Sequence, residues 1–342
     1  MLNLTRSTIP LLILLAAAQL PAEDVVILAN PQKGSPPQER KGVIEEYTGE
    51  ELTLVTAGDR KTQIPAERVL EVRSTWTRSE LAGDDFRRQG KLAEALEAYR
   101  SALREERRSW AVRKIQAKLL ACYEWNDQPE LAGEEFLAIV AQDPQTLYFS
   151  AIPLAWRNAT PNAALLERAR KWMAEKSNPA ATLLGASWLL AGDERQRATN
   201  LLQSLSSDLD PRIALLAVTQ LWRPKIVTVT TDDIPRWQTV IARIPPDLQG
   251  GPQLLLGQAL QRLKQPEDAK LAYLQAALAP NQRELLAIDG YLAAATLLEQ
   301  QSRANDAARL FREIQAMNPI AAKFHKIPER LVALEKASAA GK

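Results

Sequence analysis

The sequence predicts a mainly α protein, an α-solenoid of helical hairpins preceded by a small β-barrel domain. Three observations carry this. Glycine is sparse, 14 in 342 residues, while alanine and leucine abound. Long stretches place apolar residues at the 3.6-residue period of a helix. Short runs rich in Val, Ile and Thr, punctuated by Gly, are confined to residues 24–73. With 46% hydrophobic and 25% charged residues, the chain can bury one large or two modest cores. A formal net charge of +2 sets up no strong field toward nucleic acid or anionic lipid.

Residues 1–22 are a separate object. In "MLNLTRSTIPLLILLAAAQLPAED", Arg6 precedes an apolar run from Ile9 to Leu20, and small residues follow. That order reads as a secretory signal peptide, with cleavage after Ala18 or Ala22. The run is shorter than the roughly 20 residues a membrane-spanning helix needs. The alternative is an uncleaved anchor. No Cys near the exit could take a lipid, and no twin Arg precedes the run. Cys122 is the only cysteine, so no internal disulfide can form. It lies in a helical apolar pattern and reads as a buried thiol.

Residues 24–73 carry "EDVVILAN", "KGVIEEYTG", "ELTLVTAG" and "RKTQIPAERVLEV", separated by Gly42, Gly49, Gly58 and a Pro-rich loop. In the third run, Leu52 and Leu54 share a face opposite Thr53 and Val55. Four or five short antiparallel strands predict a small barrel, which removes open edges by closure. The pattern resembles the Sm-like or SH3-like barrels near the N-terminus of exported bacterial proteins. Such barrels can bind RNA. Here the charges are mixed and no basic-aromatic run could stack bases, so a structural or docking role is expected and no nucleic-acid partner.

Residues 76–319 follow a repeating grammar. In "GDDFRRQGKLAEALEAYRSAL", Gly83 and Phe86 share one helix face, and Ala95, Tyr99 and Ala102 share another. Gly90 supplies the turn. Small residues let two helices approach, and the aromatics beside them bury surface. The grammar returns at Leu120, Tyr123, Ala132, Phe136 and Pro144, then at Gly185, Trp188, Gly192 and Leu201. It returns again at Gly257, Leu260, Ala269, Tyr273, Ala276 and Pro280, and at Ala295, Leu298, Ala307, Phe311, Ile314 and Pro319. These five units resemble tetratricopeptide repeats. The second departs from the family at Leu120, and the third has Arg197 where the second helix should carry Ala. Leu147 to Asn178 and Arg212 to Gly250 read as helix pairs without the signature, the latter split by "IVTVTTDDIP". About seven hairpins result. Residues 320–342 read as a capping helix and tail.

The resemblance implies a concave face lined by the first helix of each hairpin, able to hold a peptide or a partner's helix. By family register the candidates are Glu80, Asp84, Arg87 and Arg88, then Lys114, Glu124 and Trp125, then Gln258, Gln261 and Arg262, then Thr296 and Glu299. Arg87, Arg88 and Lys114, beside Trp125, would suit an acidic, partly apolar peptide. The Lys and Asn residues by which chaperone-binding members clamp a terminal carboxylate have no counterparts. Most of the tryptophans should pack between hairpins.

No catalytic constellation stands out. His325, the only histidine, lacks partners at metal-ligand spacing and reads as a surface residue. No phosphate loop and no Ser elbow occur. Asp232 and Asp233 read as turn or cap residues, and "REERR" (Arg104 to Arg108) as a solvated helix face. No cofactor and no metal are expected. The expectation is an exported, non-enzymatic scaffold, in the periplasm, cell envelope or medium, binding a protein or peptide without a membrane span of its own. The alternative is an envelope-docking protein whose β module binds a wall or membrane component.

Overall fold

The structure, a computed structural model, describes residues 23–32, 34–157, 161–280 and 283–340. The signal segment expected at 1–22 lies outside them. The described residues divide into two compact units, one within 23–45 and 51–75, the other within 46–50 and 76–340.

The first unit is a five-stranded antiparallel sheet. Its strands are β1 (Asp24–Leu28), β2 (Gln38–Tyr47), β3 (Glu51–Thr56), β4 (Arg60–Pro65) and β5 (Val69–Arg73), in the order β4-β3-β2-β1-β5. Alternation puts Val26, Leu28, Ile44, Leu52, Leu54 and Ile64 in its core, and Leu52 pairs directly with Ile64. The β3–β4 turn holds Gly58 and Asp59 at positive φ, the geometry of a tight hairpin. Buried Asp24 accepts the Ile44 amide at 2.8 Å and the Ser74 hydroxyl, which pins β1 to its neighbours. The expected barrel does not form, because the sheet is not closed. β4 and β5 are its edges, and only a 3-10 turn (Ala66–Arg68) joins them. So short a link between opposite edges needs a strongly coiled sheet, which the twist of strands supplies without a closing ladder.

The second unit is mainly helical. It contains α1 (Arg78–Arg88), α2 (Leu92–Glu105), α3 (Ser109–Trp125), α4 (Pro129–Gln142), α5 (Ala163–Ala174), α6 (Pro179–Leu189), α7 (Arg195–Leu205) and α8 (Pro211–Gln220). It continues with α9 (Asp233–Ile241), α10 (Gly250–Arg262), α11 (Pro266–Leu278), α12 (Glu284–Gln300), α13 (Ala304–Met317), α14 (Pro319–Phe324) and α15 (Ile327–Ala340). Local chemistry sets many boundaries. Proline opens α4, α6, α8, α11 and α14, where its missing N–H costs nothing. Thr77 caps α1 by accepting the Glu80 amide at 3.1 Å, and Gly90 turns the chain after α1 at φ +73°. Most consecutive helices pack against one another as hairpins, building an α-solenoid.

The small residues act as the sequence implies in the first and fourth signature units. A Cβ on Gly83 would lie 2.6 Å from the Tyr99 ring, and one on Gly257 would crowd the Tyr273 ring at 2.5 Å. Ala95, Ala102, Ala132, Ala269, Ala276 and Ala307 are fully buried, with Tyr99, Phe136 and Phe311 filling the space beside them. Cys122 is buried as expected, and burial pushes its thiol up to about 11. Trp110, Trp156, Trp172, Trp222 and Trp237 are core residues, and the last two stack at 4.5 Å.

Three expectations need correction. Leu147 to Asn178 is not a helix pair but a 3-10 turn (Phe149–Ala151), an irregular buried stretch through Trp156, and the single helix α5. Pro153 breaks the helical pattern there, since it donates no hydrogen bond and keeps Ile152 out of the helical region, at φ −49° and ψ 119°. Gly185 does not serve the α6–α7 contact. A Cβ on it would meet the α5 backbone, 2.5 Å from the Met173 nitrogen, so its smallness seats α6 on α5. The "REERR" run is only partly solvated. The Glu106 side chain is buried and accepts the Arg107 and Arg108 amides and the Arg108 guanidinium.

The solenoid curls until the first turn of α12 meets the last turn of α3. Arg87 reaches Glu284 at 3.3 Å, the Trp125 indole donates to the same carboxylate at 3.2 Å, and Asn318 donates to its other oxygen at 3.2 Å. Beyond α13, α15 packs back, and its Arg330 binds Thr296 at 3.1 Å and pairs with Glu299.

Candidate functional site

A cleft of about 440 Å³ opens where the curl brings α3, α12 and α14 together. The end of α3 and the turn after it contribute Glu124, Trp125 and Asp127. Asp127 takes φ +53°, as tight connections between helices require and Asp tolerates. Trp188 of α6 forms part of the wall. Leu285, Leu286 and Asp289 come from the first turns of α12, with Arg283 just before it. Ile320, Ala321, Phe324 and His325 come from α14 and its end. The Phe324 ring is 80% exposed and meets the His325 ring edge-on at 5.0 Å.

The fourth wall is the irregular stretch, with Leu154, Ala155, Trp156 and Arg157. Buried irregular backbone needs partners for its polar groups, and side chains supply them. The Ala155 amide donates to Ser187 Oγ at 2.9 Å, and the Trp188 indole donates to the Pro153 carbonyl at 2.9 Å. Arg223, 3% exposed, donates to the Arg157 carbonyl at 2.9 Å, the Ser187 carbonyl at 2.7 Å and the Gln220 side chain at 3.0 Å. Its acceptors are all neutral, and burial pulls the Arg223 guanidinium down to about 10. Gly251 lets α10 lie directly against the Trp156 indole, since any Cβ there would enter the ring.

Two ion pairs fix the charge of the cleft. Arg283 pairs with Glu124, and both side chains are more than nine-tenths buried. The same guanidinium donates to the Leu154 carbonyl at 3.0 Å and the Ile152 carbonyl at 3.3 Å, tying α12, α3 and the irregular stretch together. Burial pushes the Glu124 carboxyl up even so. Arg157 pairs with Asp289, whose carboxyl burial lifts to about 6 against the opposing charges of Arg157 and Arg283. His325 is held below its ordinary value by burial first, then by Arg157 and Arg330. It is a wall of the cleft rather than the plain surface residue the sequence suggests.

No family model matches this chain, and no curated protein matches it. Among solved structures, it is similar to the TPR2AB domain–pHSP90 complex of yeast Sti1. That match has 12% identity and a TM-score of 0.29, over 75% of this chain and 97% of that one. The assignment of the fold rests on the hairpins and their small-residue contacts.

Of the candidates read from the sequence, Arg87, Arg88 and Trp125 line one smaller hollow of about 160 Å³ beside Glu284 and Asn318, and the others lie apart from it. Glu80 is buried, and Lys118 bridges it and Asp84 at 2.8 Å each, while Asp84 also accepts the Tyr99 hydroxyl at 2.6 Å. These are packing contacts between helices. Lys114 lies over the Trp76 ring at 3.8 Å, and burial lowers its pKa. Arg88 pairs with Asp85 on its own helix, and Arg87 pairs with Glu284. The positive charge offered to an acidic peptide is thus largely committed within the fold. Thr296 and Glu299 lie beneath Arg330. Gln261 accepts the Tyr273 hydroxyl at 2.9 Å, Arg262 is exposed, and Gln258 is half-buried. Only Glu124 and Trp125 reach the cleft. Its other key residues, Arg157, Arg283, Asp289 and Phe324, were not singled out from the sequence. Most lie off the first helices that family register considers, and the exposure of Phe324 appears only in the structure.

Among the described residues, no group of three or more His, Cys, Asp and Glu side chains could hold a metal ion. No helix among them is long and apolar enough to cross a membrane.

Proposed function

We propose that this chain is a non-enzymatic interaction scaffold whose helical unit seats a segment of a protein partner in the cleft. One observation carries the reading. An aromatic-walled cleft of about 440 Å³ sits on a framework locked by a buried ion pair and hydrogen bonds. Sites of roughly 300–1,000 Å³ that are mostly apolar, with a few fixed polar groups, are the usual form of a binding pocket. A rigid frame also limits the entropy that binding must overcome. Selection of a displayed random-peptide library on the purified chain tests this. Selected peptides should lose at least tenfold in affinity on Phe324→Ala, and that variant should melt with the wild type because the ring is largely exposed. Peptides that bind both forms equally would move the site elsewhere, and failure to select any would remove the reading.

In this reading the apolar segment before residue 23 exports the chain to the envelope or medium. N-terminal sequencing of protein from the envelope fraction should begin near Glu23, and recovery of Met1 would refute it. The open sheet favours a second reading, docking of the β module to an envelope component, in keeping with the Sm- or SH3-like pattern of its strands. Leu70 of β5, 58% exposed, would then be a contact, and Leu70→Glu should abolish retention of the full chain by envelope extracts.

A further inference from the structure

The cleft has an uneven charge account. Its carboxylates are Glu124, Asp127 and Asp289, and its guanidinium groups are Arg157 and Arg283. Arg283 is committed to Glu124 and to two backbone carbonyls. Arg157 is committed to Asp289. His325 is held below its ordinary value by burial and by Arg157 and Arg330. Among the charged groups that line the cleft, the exposed carboxylate of Asp127 is the one without an ion-pair partner. Its walls include the indoles of Trp125, Trp156 and Trp188 and the Phe324 ring.

We propose that the cleft takes an arginine or lysine side chain of the partner segment, with its stem against the aromatic walls and its charge toward Asp127 and Asp289. This rests on the cleft being the partner's seat. The chemistry favours it from both ends. Indole faces attract cations, Trp most strongly, and the attraction grows where water is excluded. A long basic side chain also buries its methylene stem on apolar surface while its head meets carboxylates. The raised carboxyls of Glu124 and Asp289 point the same way, since burial leaves both under-compensated and an added cation would relieve them. An acidic side chain fares worse. It would face Asp127, and the guanidinium of Arg283 is already engaged by Glu124 and two carbonyls, so that pair could receive it only by leaving the buried Glu124 carboxylate without its partner.

The test uses the full chain and the same displayed library, at pH 7.4 and 0.15 M salt. Selected sequences should be enriched in Arg or Lys at one position. A synthetic peptide of the selected sequence is then compared by calorimetry with its citrulline analogue, which keeps the shape of arginine and removes the charge. The wild type should lose at least tenfold in affinity for the citrulline peptide. Asp127→Asn should lose less than threefold between the two peptides, and it should remain folded because Asn also tolerates positive φ. Selection of acidic or purely apolar sequences, or equal binding of the arginine and citrulline peptides, overturns this inference and leaves the cleft as a peptide seat. A library that yields no binder overturns the seat itself.

Discussion

Replacing Gly185 with alanine adds one methyl group where two helices touch backbone to backbone. The added Cβ would lie 2.5 Å from the Met173 nitrogen and 3.0 Å from its Cα. Ordinary contacts begin near 3.5 Å, so α6 must move off α5 by on the order of 1 Å. A flexible side chain could swing away, but a helix backbone cannot. Overpacking of this kind costs about 1–3 kcal/mol, toward the upper end where the obstacle is backbone. Alanine returns about 1 kcal/mol through its better helix propensity. The net is a destabilisation of about 2 kcal/mol, borne by the contact that packs Ala169, Trp172 and Met173 under α6. Gly192→Ala is the matched control, because its Cβ would find no atom closer than 4.0 Å. It should be neutral or slightly stabilising. Urea titration followed by circular dichroism, with all three proteins in one buffer, gives the comparison. If Gly185→Ala unfolds at the same urea concentration as the wild type or higher, α6 does not rest on α5 as described.

Other expectations follow from the same contacts. Ala95→Leu should cost about 1–3 kcal/mol by overpacking a fully buried position between α1 and α2, as read from a shifted urea midpoint. Arg283→Ala should cost about 3–5 kcal/mol by leaving the buried Glu124 carboxylate alone, whereas the double variant with Glu124→Gln should recover part of the loss. For Asp289, the folded carboxyl at about 6 lies above its ordinary 3.8, so the folded state holds the extra proton between these values. Its contribution therefore favours folding at low pH and fades as pH rises from about 4 to about 6, by on the order of 3 kcal/mol. Stability measured against pH should show this decline in the wild type relative to Asp289→Asn. The buried Cys122 thiol should react with a disulfide reagent only on unfolding, which thiol titration with and without urea would show.

The hairpins were legible because their signals are local. Gly83 with Phe86, Ala95 with Tyr99, and Gly257 with Tyr273 lie within one or two turns of each other or across one short loop, and the helical period alone assigns their faces. Gly185 shows the limit of that reasoning. Its small size was plain, but two neighbouring helices were available and nothing local said which one came close. The cleft was less legible still. Arg157 meets Asp289, and Glu124 meets Arg283, across more than 130 residues, so no window of sequence holds both partners of either pair. The irregular stretch around Pro153 also imitates an amphipathic helix in composition, and only the Ser187, Gln220 and Arg223 side chains reveal why its backbone can be buried without one. The sheet was read correctly in its strands and wrongly in its closure, because alternation fixes faces but says nothing about whether two edges meet.

The carboxylate of Glu284, where Arg87, Trp125 and Asn318 converge, sets a rule of number for this chain. An open array of repeats can gain or lose a hairpin and adjust only at the new seam, since each repeat answers to its immediate neighbours. Here the distance around the curve is measured by a contact between its two ends. One hairpin more between α4 and α10 would carry Glu284 past Arg87, and one fewer would leave it short. Duplication and deletion, the usual routes by which such arrays change length, would therefore break the clasp, and with it the cleft that the clasp frames.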